Sequence, residues 1–215
     1  MKIKKTFVIF ALLVLIVSVV SAGSVFVDTG ISFSTGSRRT VVDEAELDPI
    51  SVTVVSLPFE IGYRQTVEND LVISASVAPY IPLSESLNGR ASDEKIFPTC
   101  ISTKVQGGYS MKINKEMRAE FLGGFSFAMG SRTTTTSVGN TKESFNTFSL
   151  VGEAGIKYKL NNSFFLRAGA KVAVPFATTY KSKTTVGGSI SAEGNGKYAG
   201  FMFNITPFVG GAYQF

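Results

Sequence analysis

Beyond residue 22 the chain alternates apolar and polar residues at every second position, and turn chemistry breaks the alternation at intervals. The pattern predicts eight strands, at about residues 24–35, 51–65, 71–83, 100–113, 117–130, 145–160, 164–176 and 201–215. In the first, Val25, Val27, Thr29, Ile31 and Phe33 share a face. In the fifth, Met117, Ala119, Phe121, Gly123, Phe125, Phe127 and Met129 do so. In the last, Phe203, Ile205, Pro207, Val209, Gly211, Tyr213 and Phe215 run to the terminal residue, with Asn204, Thr206, Phe208, Gly210, Ala212 and Gln214 between them. No segment after residue 22 carries a 3.6-residue apolar period.

The connections alternate in length. Glu68-Asn69-Asp70, Asn114-Lys115 and Asn161-Asn162-Ser163 read as tight turns of residues that tolerate left-handed backbone. Residues 36–50, 84–99, 131–144 and 177–197 read as long polar loops, with low-complexity tips at 133–136 and 181–196. The predicted fold is therefore all-β, an eight-stranded antiparallel up-and-down transmembrane β-barrel. Its short turns and both ends lie on the periplasmic side, and four long loops face outward. The strands meet the ~9–11 residues that a tilted membrane strand requires. A soluble sandwich also alternates, but here the consistently apolar face is opposed by one holding charges.

That opposite face carries Glu60, Arg64, Lys104, Arg118, Glu120, Glu153, Lys157, Arg167 and Lys171. Inside a narrow barrel such charges persist only if paired or hydrated. A turn centred on Asn162 sets Glu153 across from Lys171, Gly155 across from Gly169, and Lys157 across from Arg167. The first is an expected ion pair. The last places two cations together and calls for a carboxylate from another strand, with Glu120 the candidate and Arg118 and Arg64 competing for it. Eight strands leave an interior just wide enough for side chains to fill, which favours a packed lumen over a conducting one. Outward aromatics fall into two expected girdles. Tyr63, Tyr109, Phe121, Tyr158, Phe164, Tyr213 and Phe215 would ring the periplasmic boundary, and Phe33, Phe127, Phe148, Phe176 and Phe201 the outer one.

Residues 1–22 read as a cleaved signal peptide preceding one barrel domain at 23–215. Lys2, Lys4 and Lys5 precede an apolar run of about 14 residues, short of the ~20 of a spanning helix, and Val20-Ser21-Ala22 offers a cleavage site. Losing those three lysines lowers the net charge from +5 to +2, so the basic balance implies no nucleic-acid partner. Cys100 is the one cysteine and has no partner for an internal disulfide; it reads as a semi-buried structural thiol.

The chain has no histidine. Triad hydrolysis and most general acid–base chemistry lean on that residue, so the sequence argues against an enzyme. No metal site is expected without His or paired Cys, and no cofactor. Gly107-Gly108, Gly123-Gly124, Gly187-Gly188 and Gly210-Gly211 read as close-packing or loop glycines rather than nucleotide fingerprints.

Across its mature length the pattern resembles the small eight-stranded bacterial outer-membrane barrels, the group of the OmpA membrane domain, OmpX, the opacity proteins and OmpW-like proteins. The end Phe208-Val209-Gly210-Gly211-Ala212-Tyr213-Gln214-Phe215 is similar to the insertion signal read by the barrel-assembly machinery. Gly210, Tyr213 and Phe215 match that signal, while Phe208 stands where a polar residue is usual. The resemblance implies residence in the bacterial outer membrane, with outer-membrane lipid and the assembly machinery as partners. The expected role is structural or surface-binding through the four loops. There Arg38, Arg39, Lys142, Lys181 and Lys183 would suit an anionic surface ligand. The alternative is a narrow channel or a small hydrophobic-molecule conduit of OmpW-like type, with Pro79, Pro82 and Pro175 bending strands to open a lateral slot.

Overall fold

The computed structural model describes residues 23–42, 45–46, 50–91, 99–135, 139–186, 189–197 and 203–215. Residues 1–22, with the signal-peptide expectation, lie outside that set, as do Phe201 and the side chains of Arg38 and Arg39.

The strands are β1 (Gly23–Gly30), β2 (Ser32–Val42), β3 (Ala45–Glu46), β4 (Ile50–Thr66), β5 (Leu71–Leu87), β6 (Arg90–Ala91), β7 (Cys100–Lys112), β8 (Met117–Thr135), β9 (Asn140–Lys159), β10 (Phe164–Val186), β11 (Ser189–Lys197) and β12 (Phe203–Gln214). Every pairing is antiparallel. The ring runs β1, β4, β5, β7, β8, β9, β10, β12 and closes by pairing β12 with β1. β1 and β2 form one stave, since both keep the same register against β4 and β12. Their interruption at Ile31 falls beside Pro58 and Pro207, which cannot donate a backbone hydrogen bond.

The register sets the barrel's shape. A circuit through directly opposed residues runs Ser24, Arg64, Ser74, Gln106, Gly124, Val151, Ala173, Asn204 and returns to the first stave at Ser34, ten residues beyond its start. With ~3.3 Å per residue along a strand and ~4.8 Å between strands, that stagger over eight staves tilts them by about 40° and gives a backbone radius of about 8 Å.

Sidedness follows the alternation. On β7, Lys104 is 5% and Gln106 4% exposed, while Val105 between them is 51% exposed. The same split holds for Glu120 (3%) and Phe121 (50%). The outward apolar residues are left exposed on the surface of the barrel; a hydrocarbon solvent is the environment that suits them. Two aromatic chains run round the exterior. Near the short turns, Phe164 meets Tyr213 (5.0 Å between ring centroids), Tyr213 meets Phe215 (6.4 Å) and Phe215 meets Tyr63 (6.3 Å), crossing the closure seam. Near the other end, Phe127, Phe148 and Phe176 form a second run. Tyr63 differs from the fully outward ring expected of it. It is buried, its phenol lying where a Cβ on Gly23 would sit.

The tight turns are as the sequence chemistry requires. Asn69 and Asp70 adopt φ of 60° and 61°. Asn114 Oδ1 accepts hydrogen bonds from the backbone N–H groups of Glu116 and Met117, and Asn161 Oδ1 accepts from those of Ser163 and Phe164. The expected long loops are corrected: much of each is strand. β9 and β10 stay paired out to Asn140 and Thr185, β8 and β9 to Thr135 and Asn140, and β11 extends the wall between β10 and β2. Threonine is β-branched and favours extended backbone, so a Thr-rich polar segment leaving a membrane strand continues its ladder into water. The Asn88-Gly89 pair, with φ of 49° and 77°, closes a further two-residue hairpin between β5 and β6.

Candidate functional site

The lumen is divided. Its half nearer the short turns is packed with charge, and its half nearer the long hairpins holds a cavity.

The packed half is a chain of alternating acids and bases drawn from six strands. Glu120 on β8 accepts from Arg64 on β4. Arg64 Nη2 donates to Glu153 Oε1 on β9 at 2.8 Å, and Arg167 Nη2 on β10 donates to the same oxygen at 2.7 Å. Arg167 Nη1 reaches both carboxylate oxygens of Asp28 on β1, at 2.8 and 2.7 Å. Lys171 Nζ on β10 donates to Asp28 Oδ2 at 2.7 Å and to Glu60 Oε2 at 3.0 Å. Glu60 on β4 also accepts from Lys104 on β7 and from Ser76 Oγ at 2.7 Å. Four carboxylates and four cations thus alternate from Glu120 to Lys104, and all eight residues are buried. Alternation gives every inner member an opposite charge on each side, which offsets the desolvation that burial imposes.

Two aromatic rings fill the space among these charges. Phe26 lies under the guanidinium carbons of Arg167 (4.4 Å) and Arg64 (5.0 Å). Phe208 lies 4.2 Å from Lys171 Nζ and 5.4 Å from the Arg167 guanidinium carbon. Small residues make the room. A Cβ on Gly62 would stand 2.4 Å from the Phe26 ring, and one on Gly169 3.0 Å from the Phe208 ring. A Cβ on Gly210 would stand 2.2 Å from Asp28 Oδ1, so glycine there admits the carboxylate.

The observed register opposes Glu153 to Lys171 and Lys157 to Arg167. The Glu153–Lys171 pair is the loosest of the set at 3.9 Å, because Glu153 turns to the two arginines and Lys171 to Asp28 and Glu60. Glu120 bonds to Arg64, and its charge also acts on Lys157 without forming an ion pair with it. Lys157 stands apart from the chain: its Nζ lies 3.5 Å from Gln214 Oε1 and 4.1 Å from the Phe165 ring centroid. Arg118 sits at the short-turn mouth, bonded to Asp70 in the first tight turn and to Ser110. Tyr213 and Phe215 join the lower aromatic run, and Gly210 faces inward opposite Asp28.

Asp28 is the central acid of the network and the sequence reading omitted it. Its signal was present: with Val27 and Thr29 outward, position 28 points inward. Phe26 follows from the same parity.

Above Lys104 and Lys171 opens a cavity of about 170 Å³. Its walls mix hydroxyls (Ser56, Ser102, Ser126, Thr147, Ser149) with apolar groups (Val52, Val54, Pro82, Phe145, Val151, Phe203). The expectation of a lumen filled throughout is thus corrected. Serine and valine hold many of the inward positions here, and the larger Tyr80, Phe145 and Phe203 line the space without filling it. Two bulges flank the cavity: the register slips at Leu83 beside Pro82, and at Phe176 beside Pro175. They sit four staves apart, on opposite walls. Cys100 lines the same cavity as a half-buried free thiol.

No known family model matches the chain, and no curated protein sequence matches it. Solved structures do match. The outer membrane protein OprG from Pseudomonas aeruginosa aligns with a TM-score of 0.61 at 13% identity, over 90% of this chain and 96% of that one. The outer membrane protein AlkL aligns at 0.54 and 14%, over 91% and 90%. Neisserial surface protein A aligns at 0.51 and 14%, over 91% and 100%. With its apolar exterior and closed ring of eight staves, the chain has the fold of the small bacterial outer-membrane β-barrels.

Proposed function

We propose that this protein, exported by cleavage after Ala22 and inserted through its Gly210, Tyr213 and Phe215 signal, is a non-enzymatic, surface-facing barrel that does not conduct. In this reading it binds a small molecule from outside, in the open half of its lumen. The division of that lumen carries the reading: a cavity faces the long hairpins, and an alternating charge chain spans the barrel beneath it. Water and ions crossing from one side to the other would have to displace paired buried charges, and removing one member of such a pair costs about 3–5 kcal/mol. Purified protein in planar bilayers is expected to give no steady ion conductance at neutral pH. Regular single-channel steps from the unmodified chain would overturn the reading.

A second reading, a conduit for small hydrophobic molecules, draws support from the two proline-marked bulges level with the cavity. It predicts transfer of an apolar solute from outside into lipid without ion current. A surface-binding role for the projecting hairpins draws on Lys142, Lys181 and Lys183, which are exposed beyond the outer aromatic run and would meet an anionic ligand.

A further inference from the structure

The cavity's floor has a polarity that its walls lack. The charged residues lining it, among the described residues, are Lys104 and Lys171. Their carboxylate partners, Glu60 and Asp28, do not line it and lie behind the ammonium groups. The alternating chain also ends there on a base. Every inner member is flanked by two opposite charges, but Lys104 is the terminal link, and Glu60 is its carboxylate partner. An ammonium has three N–H donors; Glu60 takes one and the Tyr80 hydroxyl, which also lines the cavity, a second, so one is left for a ligand.

From this arrangement we propose that the cavity is a site for a small organic anion, a monocarboxylate with a compact apolar or aromatic body. The carboxylate would seat on Lys104, and the body would lie between Val54, Pro82, Phe145 and Val151. The inference rests on the cavity-binding reading above and names its ligand class. A carboxylate placed there completes the alternation by giving the last cation a second anion, in surroundings where a charge-assisted hydrogen bond is strong. The wall hydroxyls of Ser102 and Ser126 supply further donors at the same end of the cavity. Size limits the choice. At roughly 10–15 Å³ per water position the space holds about a dozen waters, which corresponds to about ten non-hydrogen ligand atoms. A cationic ligand of the same shape meets two ammoniums and is excluded.

The test uses the full barrel in lipid nanodiscs and three probes of one shape: 3-phenylpropanoate, 3-phenylpropanamide and 3-phenylpropylamine. Binding is read by calorimetric titration. The expected result is that the carboxylate binds at least about tenfold tighter than the amide, and that the amine does not bind. Lys104→Gln should erase the difference between carboxylate and amide, while Lys104→Arg should keep it. Heat-modifiable gel migration shows that each variant is folded. If Lys104→Gln fails to fold, the probe comparison on the unmodified chain still decides. Ser126→Trp, which fills the cavity above the charge chain, should abolish binding of both carboxylate and amide. Equal affinity for carboxylate and amide, or tighter binding of the amine, overturns the anion assignment and leaves the cavity reading standing. Binding by none of the three overturns both, as does carboxylate binding that survives Ser126→Trp.

Discussion

The two halves of the lumen are walled by the same eight staves at the same tilt, yet one is solid and the other open. The difference lies in side-chain length and in charge. In the lower half Arg64, Arg167, Lys171 and Glu153 are long enough to meet across the barrel, and opposite charge gives them reason to. In the upper half many inward positions hold short side chains, Ser102, Ser126, Ser149, Val52 and Val54, and the few large ones, Tyr80, Phe145 and Phe203, leave the axis open. Bulges beside Pro82 and Pro175 alter the walls there as well. A barrel of this strand number thus admits both a plug and a pocket, and residue size along each stave decides where one gives way to the other.

This contrast can be broken most sharply at Asp28. Asp28→Ala removes the acid shared by Arg167 and Lys171, and should lower stability by about 3–5 kcal/mol, read from the urea midpoint of heat-modifiable gel migration. An unchanged midpoint would mean that the charge chain does not hold the lower half together. Next in size is Gly169→Val. The added Cβ would stand 2.3 Å from the Ala154 carbonyl oxygen and 3.0 Å from the Phe208 ring, so a loss of about 1–3 kcal/mol is expected in the same assay. Lys157 sharpens the comparison within the lower half, since it is buried there but outside the chain. Lys157→Met should change stability by less than about 1.5 kcal/mol in either direction, because an apolar side chain of similar length replaces a buried charge that Glu120 meets only at longer range. A loss as large as that of Asp28→Ala would make Lys157 a member of the network. The smallest effect is expected in the upper half, where Ser126→Ala trims a hydroxyl facing the cavity and should stay within about 0.5 kcal/mol.

Much of the architecture was readable from particular residues. Val105 between Lys104 and Gln106 announces its outward face, and Asn114 and Asn161 announce their turns. The hairpin extensions were not, because Thr- and Ser-rich segments read equally as loop or as solvated strand until the neighbouring strand is known. The Asn88-Gly89 turn was legible and passed over. The candidate site was half legible. Parity brings seven of the eight linked cations and acids indoors, and the same rule applied to Val27 and Thr29 would have added the eighth, Asp28.

What the linear order determined is which side of the wall each residue faces, since that depends on a two-residue period inherent in extended backbone. It also determined which strands are neighbours along the chain, through the short turns. What only the closed barrel decided is who meets whom across the lumen. Arg167 finds Asp28, 139 positions away, because β12 pairs with β1 and a ten-residue stagger sets their heights. Ring closure is a property of all eight registers at once, and a bulge in any one of them shifts every partner beyond it.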